Sequence, residues 1–271
     1  MSRSEDKAWG ALLEAAAAAR DGRPPEVLAP GRTSAAQRLV ALYRPLIERM
    51  AAAPLTIGQL GQSLDGRIAT ASGDSYYVTG ATNRLHLHRL RALVDAVIVG
   101  AGTVLHDDPQ LTVRSCPGDS PVRVVLDSRG QLPPEHGVFR DGQAPTLLFR
   151  GANADAPAGD AEVAALEIGE AGYDPAAVLA ELHRRGLRHV LVEGGGVTVS
   201  RFLAAGLLDR LHVCVAPLII GSGRAAVSLP EIARLADARR PPVQVYPMDP
   251  DTLFDCDLRA CTAGTREGPN E

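Results

Sequence analysis

The 271-residue sequence predicts an α/β fold. Six short runs rich in Val, Ile and Leu are bounded by turn residues, which is typical of buried strands. Stretches with helical periodicity lie between several of these runs. Apolar strands that alternate with helices indicate a mostly parallel sheet covered on both faces. The predicted strands are residues 55–60, 95–100, 122–127, 146–149, 189–193 and 211–220.

Three helices are predicted between these strands. Thr82–Leu93 places leucines near one face, as an amphipathic helix does. Pro175–Arg185 begins with Asp174 as N-cap and a proline in the first helical position. Thr198–Ala205 follows a glycine run and precedes Gly206, a residue type that commonly ends helices. These helices supply the cover that a parallel sheet needs.

The first fifty residues differ from the rest. Asp6–Arg20 is an Ala-rich helical stretch, and a Pro- and Gly-containing segment follows it. Ser34 is the expected N-cap of a second helix, which Pro45 should kink or restart. We therefore expect a helical N-terminal extension over residues 1–53, used for packing or dimer contact. The main domain is predicted over 54–262 and a disordered tail over 263–271.

Composition limits the possible partners and location. The net charge is −4, from 28 basic and 32 acidic residues, so no broad basic face for nucleic acid is expected. No apolar run approaches the roughly 18 residues of a membrane span, and the N-terminus lacks a signal-peptide pattern. The four cysteines are scattered, which favours neither a metal site nor a disulfide framework. A cytoplasmic protein without a bound metal is predicted.

Gly194–Gly196, between the strand 189–193 and a helix, is the most informative local segment. Glycines allow a sharp turn and close approach of a ligand, and a helix N-terminus suits a phosphate group. The spacing is not a Rossmann fingerprint, because Val199 stands where the third glycine would be. The turn therefore predicts a dinucleotide phosphate site in another α/β architecture, with a ligand-free strand–helix connection as the alternative.

Polar residues also follow other predicted strands. The segment 61–79 offers hydroxyls and aromatic rings that could bind a polar heterocycle or a nicotinamide. Asp107 and Asp108 follow the glycine-punctuated strand end at 100–102, where α/β folds place ligands. Arg91 and Arg114 could supply planar forks for a phosphomonoester. Ordinary solvated loops are the alternative for each of these segments.

Six segments occur in one order along the chain: SLDGRIA, SGDSYYVT, LRALVDAVIVGAGTVLHDDPQLTVR, VRVVLDS, VEGGGVTVSRFL and LLDRLHVCVAPLIIGSG. Together they resemble the reductase domain of bacterial RibD, the pyrimidine reductase of riboflavin biosynthesis. The resemblance covers roughly residues 54–262 and is far more specific than any single motif. It implies a dihydrofolate-reductase-like fold, with a mostly parallel sheet flanked by helices and an antiparallel C-terminal hairpin, and it implies a homodimer.

The resemblance also implies functional residues. Asp107 and Glu193 are the candidate catalytic residues, and Tyr77 stands where relatives often have tryptophan. The implied cofactor contacts are Gly61, Tyr77, Thr103, Asp107 and Ser128, with the phosphates on Gly195, Gly196, Val197, Thr198, Val199, Ser200 and Arg201. The implied substrate contacts are Ser75, Arg91, Leu111, Arg114 and Glu193. Either Arg201 or Arg129 could contact the 2′-phosphate of NADPH.

The implied activity is NADPH-dependent reduction of a small phosphorylated pyrimidine, from ribosyl to ribityl. The substrate would be 5-amino-6-(5-phosphoribosylamino)uracil or its 2,5-diamino precursor. Bifunctional relatives carry a zinc deaminase with H-x-E and P-C-x-x-C motifs, which this sequence lacks. A stand-alone reductase is therefore expected. Two alternatives are a same-fold reductase acting on a pterin or another heterocycle, and a non-catalytic nucleotide-binding protein.

Overall fold

The computed structural model describes residues 3–24, 33–76, 78–151, 159–169 and 172–263. Tyr77, a predicted cofactor contact, lies outside these ranges. So does the predicted tail from residue 264 onward.

A nine-stranded sheet forms the centre of the described molecule. Its strand order is β13-β14-β10-β1-β9-β3-β4-β5-β6. The seven strands from β10 to β6 run parallel, while β14 is antiparallel to both β10 and β13. The sheet strands are β1 (Leu55–Ser63), β3 (Ala96–Gly100), β4 (Val122–Asp127), β5 (Thr146–Gly151), β6 (Glu162–Leu166), β9 (His189–Glu193), β10 (Arg210–Ala216), β13 (Val243–Met248) and β14 (Asp251–Asp257).

Shorter strands pair outside the main sheet. They are β2 (Arg67–Thr70) with β11 (Gly223–Ala225), β7 (Ile168–Gly169) with β8 (Gly172–Tyr173), and β12 (Arg239–Arg240) with β15 (Thr262–Ala263). The β2–β11 pair brings the segment after β10 back over the carboxyl end of the sheet, where the predicted site residues lie.

Helices cover both faces of the sheet. Successive side chains of a strand point to opposite faces, so each strand contributes to two apolar cores. Val97 and Val99 pack on the side of the first four helices, whereas Ala96 and Ile98 pack on the side of the last two. The helices are α1 (Arg3–Arg20), α2 (Ser34–Ala52), α3 (Ala81–Leu93), α4 (Ala101–Asp107), α5 (Pro175–Arg184) and α6 (Gly196–Ala204). The predicted α/β fold, with its antiparallel C-terminal hairpin β13–β14, is confirmed.

The N-terminal helices are part of this packing. Trp9 and Tyr43 are fully buried and share one apolar core with Leu55 and Leu90, which belong to β1 and α3. The indole nitrogen of Trp9 donates to the carbonyl of Pro117, 2.9 Å away. The described part of residues 1–53 is thus packed against the sheet layer. None of the described helices is both long and apolar enough to cross a bilayer.

Several local predictions are wrong in detail. Thr33, not Ser34, is the N-cap of α2: its hydroxyl accepts from the amide of Ala36. The helix also runs through Pro45 without restarting. The strand predicted over 211–220 ends at Ala216.

Two further differences concern the carboxyl edge of the sheet. The helix after the glycine turn begins at Gly196 rather than Thr198. The segment after β3, where no helix was predicted, is the short helix α4, and Asp108 caps it in a left-handed conformation. By contrast, Asp174 caps α5 as predicted, accepting from the amide of Ala176.

Candidate active site

A cavity of about 460 Å³ lies at the carboxyl ends of β9, β3 and β4, which are neighbours in the sheet. We call it the β4-side cavity. Ligands of open α/β sheets bind at this edge, because the loops that follow parallel strands meet there. Its lining includes nine of the predicted residues: Ser75, Thr103, Asp107, Ser128, Gly195, Gly196, Val197, Thr198 and Arg201.

The glycine turn forms one wall of this cavity. Gly194 and Gly195 have φ values of +80° and +60°, a region that side chains disfavour. A Cβ on Gly195 would lie 3.1 Å from the Thr103 hydroxyl. The N-terminus of α6 has no side-chain cap, so its first amides remain available to an anion. The geometry fits a phosphate-bearing ligand.

Gly196 is required for a different reason. A Cβ there would collide with the Ala225 carbonyl oxygen and lie 2.7 Å from that of Ala226. The backbone after β11 therefore crosses directly over the start of α6. This glycine permits protein packing, whereas Gly194 and Gly195 permit the turn itself.

Three arginines give the β4-side cavity a basic lining. The Arg201 guanidinium stacks on the Tyr173 ring, 4.8 Å from its centroid. Arg224 contacts Nε2 of His106 at 3.2 Å. Arg129 is exposed at the end of β4. Asp107 is the one acidic residue among the described residues of this lining. Because three arginines outnumber it, the cavity favours an anionic ligand.

A second cavity of about 440 Å³, the β1-side cavity, lies between β1 and α3. It contains the predicted residues Gly61 and Glu193, and it also contains polar residues that sequence reasoning missed. Gln59 and Asn83 are buried, and their amides are 3.4 Å apart. Asn83 also donates to the Thr79 hydroxyl at 2.9 Å. The available signal for Gln59 was an amide side chain between the apolar residues Ile57 and Leu60 of a predicted strand.

The two cavities meet at a shared wall. Ile68, Ser75, Asp107 and Gly195 line both of them. The Ser75 hydroxyl donates to Oδ1 of Asp107 at 3.0 Å, and this contact joins the loop after β2 to the end of α4. A group bound in one cavity would therefore touch a group bound in the other beside Ser75 and Asp107.

Glu193 is held by Arg91 in a buried, two-pronged ion pair. Nε of Arg91 donates to Oε2 at 2.8 Å, and Nη2 donates to Oε1. The remaining nitrogen, Nη1, donates to the Thr112 carbonyl at 3.0 Å. Arg91 therefore has partners on all sides, and gripping a substrate phosphate would require this pair to open.

Arg114 lies near this ion pair but outside both cavity linings. Its Nη1 donates to the Thr112 hydroxyl at 2.7 Å. Partial burial, together with repulsion from Arg91, lowers the pKa of Arg114 despite the attraction of Glu193. Burial, and then repulsion from Arg91 and Arg114, also lowers the pKa of His88. The His88 ring accepts a hydrogen bond from the Arg114 amide. Arg114 and His88 therefore lie within the electrostatic reach of the Arg91–Glu193 pair, and Arg91 is the residue that contacts the Glu193 carboxylate.

Arg91 is also absent from both cavity linings, and so are three other predicted residues. Leu111 is buried, with a φ of +56°. Val199 is in the apolar core between α6 and the sheet. The hydroxyl of Ser200 accepts from the Ser228 amide at 2.9 Å, which fastens the crossing segment to α6. These side chains support the walls of the site.

The fold and site define a class: an α/β protein with a basic cleft at the carboxyl edge of its sheet and a second pocket that shares a wall with it. Residues 54–254 match the RibD C-terminal domain, and the chain belongs to this family. The family predicted from the sequence is therefore confirmed.

Two relatives illustrate the match. The chain is 40% identical over 200 residues to the 2,5-diamino-6-ribosylamino-4(3H)-pyrimidinone 5′-phosphate reductase of Methanothermobacter thermautotrophicus, covering 69% of this chain and 89% of that protein. It is 36% identical to the riboflavin biosynthesis protein RibD of Aquifex aeolicus, covering 60% of this chain and 46% of that one. The chain thus spans about half the length of the RibD proteins it matches.

Solved structures agree in fold. The deaminase/reductase of Thermotoga maritima superimposes with a TM-score of 0.66 at 29% identity, covering 82% of this chain and 61% of that one. The riboflavin biosynthesis reductase Rib7 of Saccharomyces cerevisiae gives a TM-score of 0.62 at 20% identity, covering 76% and 90%. The yeast likeness concerns the fold alone.

Proposed function

We propose that this chain reduces the ribosyl group of a phosphorylated aminopyrimidine to ribityl, with NADPH as hydride donor, in riboflavin biosynthesis. The substrate is the 2,5-diamino compound or its deaminated uracil form, in keeping with the name of the archaeal relative. The observation that carries this proposal is the meeting of the two cavities at Ser75, Asp107 and Gly195. Hydride transfer needs two bound molecules in direct contact.

The β4-side cavity fits a nicotinamide dinucleotide. Gly195 and the uncapped start of α6 suit the pyrophosphate. The basic lining suits the remaining anionic groups, and Thr103 and Ser128 offer hydroxyls. When bound, the reduced nicotinamide would supply the hydride, and its reacting end would lie at the shared wall, which includes Asp107.

The substrate then occupies the β1-side cavity. Gln59 and Asn83 offer amide donors and acceptors that suit a pyrimidine ring. Glu193, fixed by Arg91, orients the substrate through a carboxylate that cannot rotate freely. Arg91 acts through Glu193 and is a positioning residue here. Because the sugar must open before it is reduced, a group that moves a proton is needed beside the reacting carbon. Asp107 holds that position.

The test follows loss of reduced-nicotinamide absorbance with each of the two pyrimidine phosphates, and with NADPH or NADH. We expect turnover with NADPH and at least one pyrimidine. Asp107→Asn should lower kcat by about 100-fold or more, the usual contribution of a positioned acid or base, with little change in NADPH affinity. Asp108→Asn is the matched control: this neighbouring carboxylate turns away to accept from the Gly137 amide and should leave kcat unchanged.

Full turnover by Asp107→Asn would remove the proton-transfer role. Turnover of a dihydropterin but of neither pyrimidine would favour a same-fold reductase in another pathway. Tight NADPH binding without turnover of any of these compounds would indicate a nucleotide-binding protein. A homodimer and a cytoplasmic location stay predictions of the sequence, and size-exclusion chromatography coupled to light scattering tests the first.

A further inference from the structure

We infer that Arg129 is the residue that selects NADPH over NADH, by binding the phosphate on the adenosine ribose. This inference rests on the proposed use of a nicotinamide dinucleotide. Three arginines line the β4-side cavity, and the structure distinguishes them by what each guanidinium already contacts.

Arg201 and Arg224 are engaged by the protein. The Arg201 guanidinium lies on the face of Tyr173, and a Cβ on Gly172 would fall 2.9 Å from its Nη2, so the strand beside it leaves little room to move. Arg224 contacts His106, and its Nη2 would lie 2.9 Å from a Cβ on Gly73. Both arginines are part of the cavity wall.

Arg129 differs from them. Its side chain is exposed at the cavity edge, and no described residue gives it a hydrogen bond or an ion pair. A planar guanidinium with all its donors available is the group best suited to grip a phosphomonoester.

The loop that carries Arg129 is rigidly built. Asp127 is fully buried at the end of β4, and its two carboxylate oxygens accept from the amides of Gln131 and Leu132, each at 3.0 Å. Arg150, also buried, donates to the Leu132 carbonyl at 3.1 Å and lies 3.5 Å from the Asp127 carboxylate. Two buried charges therefore fix a five-residue loop whose exposed members face the cavity.

The position of this loop matches the adenosine end of a dinucleotide. The glycine turn follows β9, and Arg129 follows β4, two strands away in the sheet. At about 4.8 Å between neighbouring strands, the two sites are roughly 10 Å apart. The β1-side cavity lies in the opposite direction, so a cofactor with its nicotinamide at Asp107 extends its adenosine toward β4. Arg129 then faces the ribose.

The direct test measures binding of two fragments, adenosine 2′,5′-bisphosphate and 5′-AMP, by calorimetry. They differ only in the phosphate at issue. Arg129→Gln should weaken the bisphosphate by about 10- to 100-fold, the value of a charge-assisted hydrogen bond or two, and leave 5′-AMP unchanged. Arg129→Lys should recover part of the loss. Arg140→Gln, an exposed arginine outside both cavities, is the matched control and should change neither affinity.

The inference is overturned if Arg129→Gln weakens both fragments equally, or if the preference for the bisphosphate survives it. It is also overturned if Arg201→Gln alone abolishes that preference. These failures are distinct from failure of the proposed function. A wild-type enzyme that reduces the pyrimidine equally well with NADPH and NADH refutes only the role of Arg129. A wild-type protein that prefers the bisphosphate but turns over no pyrimidine refutes only the proposed reaction.

Discussion

Two polar regions of this molecule use similar residue types in opposite ways. The buried polar chain, which we define as Tyr43, His86, His212 and Asp255, runs from α2 through α3 to β10 and β14. The Tyr43 hydroxyl is 2.6 Å from Nδ1 of His86, whose Nε2 is 3.0 Å from Nδ1 of His212. Nε2 of His212 is 3.1 Å from Asp255. In the β4-side cavity, by contrast, hydroxyls, amides and a guanidinium face open space.

The difference separates structural polar residues from functional ones. In the buried chain each side chain faces the next, which fixes how α2 and α3 sit on the sheet but leaves nothing for a ligand. In the cavity, donors without a protein partner and a turn that favours glycine persist, as they do at binding sites. Residues of the chain should therefore affect stability, and residues of the cavity should affect affinity.

The largest expected effect comes from Asp255→Asn. Asp255 is buried and accepts from Nε and Nη2 of Arg210 at 2.8 and 2.7 Å. Removing its charge leaves the largely buried Arg210 with only the more distant Asp257 and weakens the acceptor beside His212, so the free energy of unfolding should fall by about 3–5 kcal/mol. Urea denaturation measures this loss.

The control for Asp255→Asn is Asp257→Asn, which contacts the same arginine at 3.4 Å from a partly exposed position. It should cost less than about 1 kcal/mol. NADPH affinity of both folded variants should equal that of wild type. A tenfold loss of affinity in Asp255→Asn would contradict a purely structural role for the buried polar chain.

The next effect is expected from Gly195→Ala. The positive φ and the nearby Thr103 hydroxyl strain an alanine there, at about 1–3 kcal/mol, and relief of that strain would move the turn. NADPH affinity should fall at least tenfold, as measured by fluorescence titration. Gly206→Ala is the matched control: it has a φ of +68° at the other end of α6, with open space around it. Gly206→Ala should lower the free energy of unfolding by a similar amount and leave NADPH affinity unchanged. Equal affinity losses in both variants would show that the Gly195 turn has no special role in binding.

The smallest effect concerns the pH dependence of stability. Burial, and then repulsion from His212 and Arg89, holds the pKa of His86 well below its usual value even though Asp255 opposes this. The unfolded chain takes up a proton near pH 6.5 that the folded chain refuses, so stability is lost as the pH falls below that value. The slope reaches about 1.4 kcal/mol per pH unit for one proton.

His86→Gln should flatten the wild-type curve by up to that slope between pH 6.5 and 5, as measured by denaturation at each pH. His88 and His183 also have lowered pKa values and titrate in both proteins, so the difference between the two curves isolates His86. Burial raises the pKa of Asp255, but the hydrogen bonds and charges of His212 and Arg210 outweigh it and lower this pKa to about 2. Asp255 therefore titrates only in more acidic solution. Parallel curves for the two proteins would mean that His86 is not held neutral.

Local signals account for what the sequence could predict. The strands of the sheet interior are mostly apolar, so their positions could be predicted, and the cap at Asp174 followed from a local pattern. The run Gly194–Gly196 predicted a sharp turn, and the structure has one there. At Thr33 and Ser34, however, two adjacent residues with equal capping ability competed, and only the backbone path chooses between them. The helix α4, which is only seven residues long and starts at glycine, gave no periodic signal.

Long-range pairing accounts for what the sequence could not predict. Arg91 and Glu193 are 102 positions apart, and no local sequence pattern around either residue indicates that they form one buried ion pair. The segment at Ala225 that crosses Gly196 depends likewise on the β2–β11 pairing. Sequence reasoning assigned Arg91 to a phosphate because an arginine near a site is most simply read that way. The structure instead gives its donors to the protein.

The most direct test of the central claim is a crystal structure of the protein with NADPH bound. We expect the pyrophosphate against the backbone of Gly195–Val197, the nicotinamide beside Asp107 and the adenosine ribose toward Arg129. A cofactor bound elsewhere, or one that reverses direction so that its adenosine enters the β1-side cavity, would contradict it.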